Sequence, residues 1–117
     1  MATIILPVLT ENENKAVQEL IAGLKKLYGS NLSRMILYGS KARGDAEPDS
    51  DIDILVVLKK MGLRYDEIRR IGEIRAPICL KYDLVISAMP MEAKWIESDY
   101  KTIFVHNVLN EGVLLSI

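Results

Sequence analysis

Apolar residues along the chain alternate between helix-like and strand-like spacing. Over residues 17–28 they recur every three or four positions, which is the spacing of an amphipathic helix. Thr10 and Glu13 have the spacing of a capping box at the start of this segment, and Gly29 follows its end. The pattern therefore predicts a helix over residues 10–28.

The rest of the chain continues as short apolar runs separated by amphipathic segments. The expected strands cover residues 35–38, 51–58 and 78–86. The expected helices cover residues 65–76, a short segment from Pro90 that includes Trp95 and Ile96, and residues 102–115. Residues 41–44 are expected to form a helical turn before a polar loop over residues 45–50. Pro77 is expected to end the helix before it. Strands alternating with helices predict a single α/β (α+β) domain over residues 1–117, with a small mixed β-sheet flanked by helices.

Composition and charge exclude several classes of protein. Half of the 117 residues are apolar and 26% are charged, which excludes a disordered chain. The 15 basic and 16 acidic residues leave no basic excess, so no direct nucleic-acid binding is expected. Cys79 is the single cysteine and cannot form an internal disulfide. The longest apolar run, residues 54–58, is too short for a membrane helix, and residues 1–9 lack the basic flank of a signal peptide. A cytoplasmic protein is expected.

Two aspartates open the strand predicted over residues 51–58. Asp51 and Asp53 are two positions apart, so on a strand both side chains lie on one face while Ile52 and Ile54 lie on the other. Two close carboxylates repel each other unless a cation lies between them, and oxygen ligands of this kind suit Mg²⁺. Taken alone, the pair is equally consistent with a polar entrance to a strand.

A second short motif precedes the aspartates by ten residues. Gly39 allows close approach of the backbone to a ligand, and the Ser40 hydroxyl and the following N–H groups can hold phosphate oxygens. Lys41 and Arg43 add positive charge. Alone, this is also consistent with a plain turn. The combination of Gly-Ser, ten residues and Asp-x-Asp is expected by chance in only about one chain of this length in a thousand.

This combination resembles the signature of the DNA polymerase β-like nucleotidyltransferase superfamily. Residues 39–44 with residues 50–53, and the ending over residues 107–113, are similar to the minimal nucleotidyltransferases, or MNT domains. The resemblance implies a polymerase β-like palm fold and ATP as substrate. It also implies a third acidic ligand, for which Asp83 is the candidate because it lies inside an otherwise apolar run.

The resemblance further implies a mechanism. Asp51, Asp53 and Asp83 would hold two Mg²⁺ ions, Asp83 would be able to accept the proton of the attacking hydroxyl, and Gly39, Ser40 and Arg43 would bind the phosphates. MNT proteins are commonly antitoxins that transfer AMP from ATP to a tyrosine of a partner HEPN-domain ribonuclease toxin. Two other functions stay open: a nucleotidyltransferase acting on a small molecule such as an aminoglycoside, and a non-catalytic antitoxin that binds its toxin.

Overall fold

The computed structural model describes residues 8–117 of the chain. Its elements in chain order are α1 (Glu11–Tyr28), a short 3-10 turn (Gly29–Asn31), β1 (Leu32–Tyr38), α2 (Gly39–Arg43), β2 (Ile52–Leu58), α3 (Arg64–Tyr82), β3 (Ile86–Glu92), α4 (Ala93–Glu97), α5 (Ile103–Glu111) and β4 (Val113–Leu114). Residues 1–9 were considered above as a possible signal peptide, and most of them lie outside this range. Between residues 8 and 117, no helix combines the length and the apolar character that crossing a membrane requires.

The four strands form one mixed sheet in the order β3-β2-β1-β4. β1 is antiparallel to both β2 and β4, whereas β2 and β3 are parallel. The predicted α/β class with a small mixed sheet is therefore confirmed. The register places Tyr38 opposite Asp53 on β2, and Ser87 of β3 beside Asp53 on the other side. The end of β1 and the start of β2 therefore meet at one end of the sheet.

Helices α1 and α3 cover one face of the sheet. The shared core contains apolar residues of α1, together with Ile52, Ile54 and Val56 of β2. The capping box predicted at the start of α1 is present, since the Thr10 side chain accepts the N–H of Glu13 and the Glu13 carboxylate accepts the N–H of Thr10. This anchored helix fixes one side of the domain.

Helices α4 and α5 cover the opposite face. A second, smaller apolar cluster joins Ile36 of β1 and Leu55 and Val57 of β2 to Ile96 of α4 and Val105 of α5. Because side chains alternate along a strand, Asp51 and Asp53 share this face with Leu55. The apolar cover stops short of the aspartates, which therefore lie at its edge: Asp51 is exposed and Asp53 is half-buried.

The helix expected to end at Pro77 continues to Tyr82, so both that boundary and the strand expected over residues 78–86 are wrong. Pro77 cannot donate a hydrogen bond to the preceding turn. The following turn is nevertheless held to α1, because Ile78 is buried in the core and Lys81 Nζ lies 2.8 Å from Glu19 Oε1. Tertiary contacts thus outweigh the local cost of a proline inside the helix.

The C-terminal third also differs from the expected boundaries. Pro90 lies within β3, an edge strand, where the missing N–H of a proline is tolerated, rather than at the start of a helix. The short helix α4 begins after it. The last helix, α5, ends at Glu111, and the residues after it turn back as β4 against β1. The domain therefore has a fourth strand that the sequence pattern does not predict.

Candidate active site

Gly39 brings the start of α2 against the carboxylate of Asp53. Its φ of +75° lies in the region that favours glycine, and a Cβ at this position would lie 2.6 Å from Asp53 Oδ2. Any larger residue would displace either the carboxylate or the backbone. The two halves of the Gly-Ser and Asp-x-Asp motif, separated by ten residues in sequence, are thus adjacent in the fold.

Asp51 immediately precedes β2 and Asp53 is its second residue, between Ile52 and Ile54, which are buried under α1 and α3. Burial raises the pKa of Asp53, and the nearby Asp51 charge raises it further. Over residues 8–117, neither carboxylate has a hydrogen bond or an ion pair to another side chain. Among the residues that the structure describes, the pair is therefore a concentration of negative charge without a compensating side chain.

This donor set fits a divalent cation. Mg²⁺ is usually bound by one or two carboxylates together with water and substrate phosphates, and the uncompensated pair beside α2 offers two carboxylates at a solvent-open edge. The absent Cβ of Gly39 leaves the room in which Asp53 Oδ2 lies. The fit extends to two carboxylates, and the additional ligands would come from water and phosphate.

The structure does not bring Asp83 to this pair. The residue ends α3 in the left-handed conformation, with φ of +53°, its side chain is exposed, and β3 begins three residues later. In the described part of the chain, no three acidic, histidine or cysteine side chains lie close enough to share a metal ion. The expectation that Asp83 lies inside a strand is wrong because α3 extends past Pro77. On β3, the residue beside Asp53 is Ser87.

Ser40 and Arg43 lie on α2 next to Gly39. The backbone carbonyl of Ser40 accepts the N–H groups of Gly44 and Asp45, which closes this short helix. Arg43 is exposed, with its Nε 3.3 Å from Asp45 Oδ2 and its Nη1 3.3 Å from Glu111 Oε2. Exposed ion pairs of this kind contribute at most about 1 kcal/mol, so a phosphate can compete for the guanidinium.

A cavity of about 200 Å³ opens beside Gly39. It is lined by residues of β1, α2 and α5: Tyr38, Gly39, Arg43, Phe104, Asn107, Val108 and Glu111. The Phe104 ring packs edge-on against Tyr38, with centroids 5.4 Å apart and planes at 89°. Burial raises the pKa of the Tyr38 hydroxyl, and Asp53 adds to this effect. The sequence analysis missed Phe104 as a lining residue, because a lone aromatic residue in a helix gives no signal of its neighbours.

Lys41 is the residue of the motif that differs most from expectation. The sequence places it among the positive charges around a phosphate, but its side chain is buried on the far side of α2 against Glu13 of α1. Arg43 therefore remains as the cation of α2 that faces the cavity. The role of Lys41 depends on its pairing with Glu13 of the capping box. That pairing cannot be identified before the fold is known.

The fold is similar to those of several solved structures. The fold is similar to that of a chain in a toxin–antitoxin crystal structure with AMP-PNP, with a TM-score of 0.55 and 20% identity over 83% of this chain and 70% of that chain. It is equally similar to a chain of the toxin–antitoxin pair MntA–HpeT, with a TM-score of 0.55 and 20% identity over 92% and 72%. A crystal structure described as "a putative nucleotidyltransferase from Sulfolobus solfataricus" has a TM-score of 0.53 and 19% identity over 91% of this chain and 86% of that chain. These likenesses confirm the expected fold.

Two proteins of Methanocaldococcus jannaschii are closer in sequence, and each is named "Putative protein adenylyltransferase". One is 36% identical over 104 residues, covering 89% of this chain and 98% of the relative. The other is 36% identical over 97 residues, covering 83% and 92%. The family model described as "Nucleotidyltransferase domain" matches residues 17–109, which include the whole of the site around Gly39 and Asp53. The chain belongs to the nucleotidyltransferase domain family.

Proposed function

We propose that this nucleotidyltransferase transfers AMP from ATP to a hydroxyl group of a partner protein. The observation that carries the proposal is the adjacency of two uncompensated carboxylates, Asp51 and Asp53, to the start of α2 at Gly39. That geometry supports a divalent-cation site beside backbone N–H groups that suit phosphate oxygens. The names of the two M. jannaschii relatives support protein as the acceptor.

In the proposed reaction, Asp51 and Asp53 hold Mg²⁺, which when bound supplies positive charge to the phosphates. Gly39, Ser40 and Arg43 orient the β- and γ-phosphates. The acceptor oxygen forms a bond to the α-phosphorus while the bond from the α-phosphorus to its bridging oxygen breaks, and pyrophosphate leaves with that electron pair. The hydroxyl proton passes to water at the open edge of the sheet.

The number of ions depends on ligands beyond this pair. Two Mg²⁺ ions were expected from three carboxylates, and Asp83 is exposed at the end of α3. We propose that Asp51 and Asp53 carry the essential binding, with the remaining positions filled by phosphate and water. Asp83 stays a candidate third ligand that mutagenesis can test.

The partner is proposed to be a HEPN-domain ribonuclease toxin, modified on a tyrosine and thereby neutralised in the cytoplasm. Two of the similar folds come from toxin–antitoxin crystal structures, one of them with AMP-PNP, which supports both a toxin partner and an adenine nucleotide. Modification of the partner, rather than simple occlusion, is favoured because Asp51 and Asp53 are both present.

The test is incubation of the purified chain with Mg²⁺, the product of the adjacent gene, and ATP labelled either at the α-phosphate or at the γ-phosphate. We expect the α-label, and not the γ-label, to appear on a tyrosine of the partner, with the mass gain of one AMP. The matched control is Asp53→Asn, which removes one carboxylate of the site and should give no label on the partner. Label on an aminoglycoside, or a stable complex without label, would replace this function with one of the two alternatives.

A further inference from the structure

The buried pair of Lys41 and Glu13 lies behind the site, on the side of α2 that faces α1. Lys41 Nζ is 2.8 Å from Glu13 Oε2, and the two residues are 5% and 3% exposed. Lysine is almost never fully buried unless it is paired. A short helical turn such as α2 does not need a buried ion pair in order to fold. The contacts around Lys41 and Glu13 indicate what the pair does.

Glu13 is itself held in place by α1. Its second carboxylate oxygen, Oε1, accepts the N–H of Thr10 at 2.8 Å as part of the capping box. Although burial raises the pKa of Glu13, the hydrogen bonds from Lys41 and Thr10 outweigh burial and lower the pKa overall. α1 is anchored in the core through fully buried residues such as Leu20 and Leu24. The acidic partner of Lys41 is therefore a fixed point.

Lys41 also contacts the loop that follows α2. Its ammonium group lies 3.5 Å from the backbone carbonyl oxygens of both Glu47 and Pro48. With Glu13, these give three acceptors for the three N–H groups. The loop over residues 44–51 ends at Asp51, and its own bonds include Ser50 N–H to the Glu47 carbonyl. One side chain thus connects α1, α2 and the approach to the Asp-x-Asp pair.

We propose that Lys41 is a positioning residue for nucleotide transfer, which fixes α2 and the loop over residues 44–51 relative to β2. The inference rests on the proposed function of the site. The Lys41 ammonium group contacts Glu13 and the loop rather than Asp53, so it acts through the placement of Ser40 on one side and Asp51 on the other. A displacement of about 1 Å in either group is enough to lower a transfer rate about 100-fold.

A cavity of about 260 Å³ beside the pair gives the proposal a conservative variant. It is lined by residues of α1, α2 and the loop: Val8, Thr10, Glu13, Lys41, Gly44, Ala46 and Pro48. This space can receive the larger guanidinium of Lys41→Arg, which keeps the charge and the donors. Lys41→Met keeps the length of the side chain and removes both. Lys41→Gln is a second neutral variant with a donor, used if Lys41→Met does not fold.

The experiment compares these variants by amide hydrogen exchange and by steady-state kinetics with ATP. Well below the melting temperature, we expect Lys41→Met to increase exchange over residues 44–51 and to lower kcat/KM by about 10-fold to 100-fold. Lys41→Arg should restore both to within about threefold of the original chain. Val17→Ala, which loses stability within the core of α1, is the matched control and should change neither.

Unchanged exchange over residues 44–51 in Lys41→Met or Lys41→Gln would overturn the proposal. An equal loss of kcat/KM in Val17→Ala would do so too, because the effect would then be one of stability alone. Failure of the proposed function is distinguishable, since it would abolish AMP transfer by the original chain while hydrogen exchange still reports the placement of the loop. In that case, increased exchange in Lys41→Met together with its rescue in Lys41→Arg supports the positioning role.

Discussion

Two pairs of charged residues lie on opposite sides of α2 and differ in how their charges are balanced. Glu13 and Lys41 carry opposite charges, are buried, and contact each other as well as Thr10 of the capping box and two backbone carbonyls of the loop. The hydrogen bonds from Lys41 and Thr10 outweigh burial and lower the pKa of Glu13. Asp51 and Asp53 carry like charges, and both burial and mutual repulsion raise the pKa of Asp53. In the first pair each charge is balanced by the other. In the second pair the two negative charges would be balanced by a bound cation. The difference indicates that Glu13 and Lys41 hold the site in place, whereas Asp51 and Asp53 take part in its chemistry.

The largest expected effect comes from removing one charge of the aspartate pair. Asp51→Asn or Asp53→Asn should lower AMP transfer by more than about 100-fold, because a preorganised electrostatic group at the reacting phosphate is lost. Circular dichroism should remain that of the original chain. Turnover within a few fold of the original chain in either variant would contradict the assignment of the metal site.

The same comparison predicts opposite effects on stability. Glu13→Gln should lower the free energy of unfolding by about 3 kcal/mol, because a buried ammonium loses its counter-charge. Asp53→Asn should raise the melting temperature of the metal-free protein at neutral pH, because folding disfavours the charged form of Asp53. Both are measured by thermal and urea unfolding with a chelator present. Changes of the same sign in the two variants would contradict the contrast between the pairs.

Arg43 is expected to have an intermediate effect. Arg43→Ala should raise KM for ATP by about 10-fold, the size expected for one charge-assisted hydrogen bond to phosphate, with a smaller effect in Arg43→Lys. Arg69→Ala is the matched control, because Arg69 is also exposed and ion-paired but lies on α3 away from the cavity. An equal change in both variants would show that only overall charge matters.

The pH dependence of stability should report the pair of Glu13 and Lys41. The pKa of Glu13 is lower in the folded chain than its ordinary value of 4.5. The stabilisation by the pair is therefore fully present above that value and is lost as the pH falls through the lowered pKa. The difference in unfolding free energy between the original chain and Glu13→Gln should shrink over this acidic range. A constant difference would mean that Glu13 is not charged in the folded state.

The smallest effect is expected at Asp83. Asp83→Asn keeps a residue that tolerates the left-handed conformation at the end of α3. It should lower kcat/KM less than about fivefold, the size of an exposed charge's effect. A loss as large as that of Asp51→Asn would establish Asp83 as the third ligand, and the segment before β3 would then have to move toward the pair.

The sequence predicted the parts of the fold that depend on local pattern. The capping box of α1 and the buried strand β2 both follow from spacing within a few residues. The continuation of α3 beyond Pro77 depends on tertiary packing, because Ile78 is buried in the core against residues of α1 that are distant in sequence.

In the site, too, contacts between residues that are distant in sequence could not be predicted. Gly39, Ser40 and the two aspartates were predicted as a unit because their spacing is itself the signal. The burial of Lys41 could not be predicted, because its partner Glu13 lies 28 positions earlier and already had a complete local explanation as a cap. Lys41, whose partner is distant in sequence, was therefore assigned the wrong neighbour, whereas Gly39 and Asp53 of the same motif do lie side by side.

The most direct test of the cation site is the binding of Mn²⁺, measured by electron paramagnetic resonance in the presence of a non-hydrolysable ATP analogue. We expect that the original chain binds the ion and that the double variant Asp51→Asn with Asp53→Asn does not. Lys41→Arg should bind the ion as the original chain does. Equal binding of Mn²⁺ by the double variant and the original chain would contradict the assignment of Asp51 and Asp53.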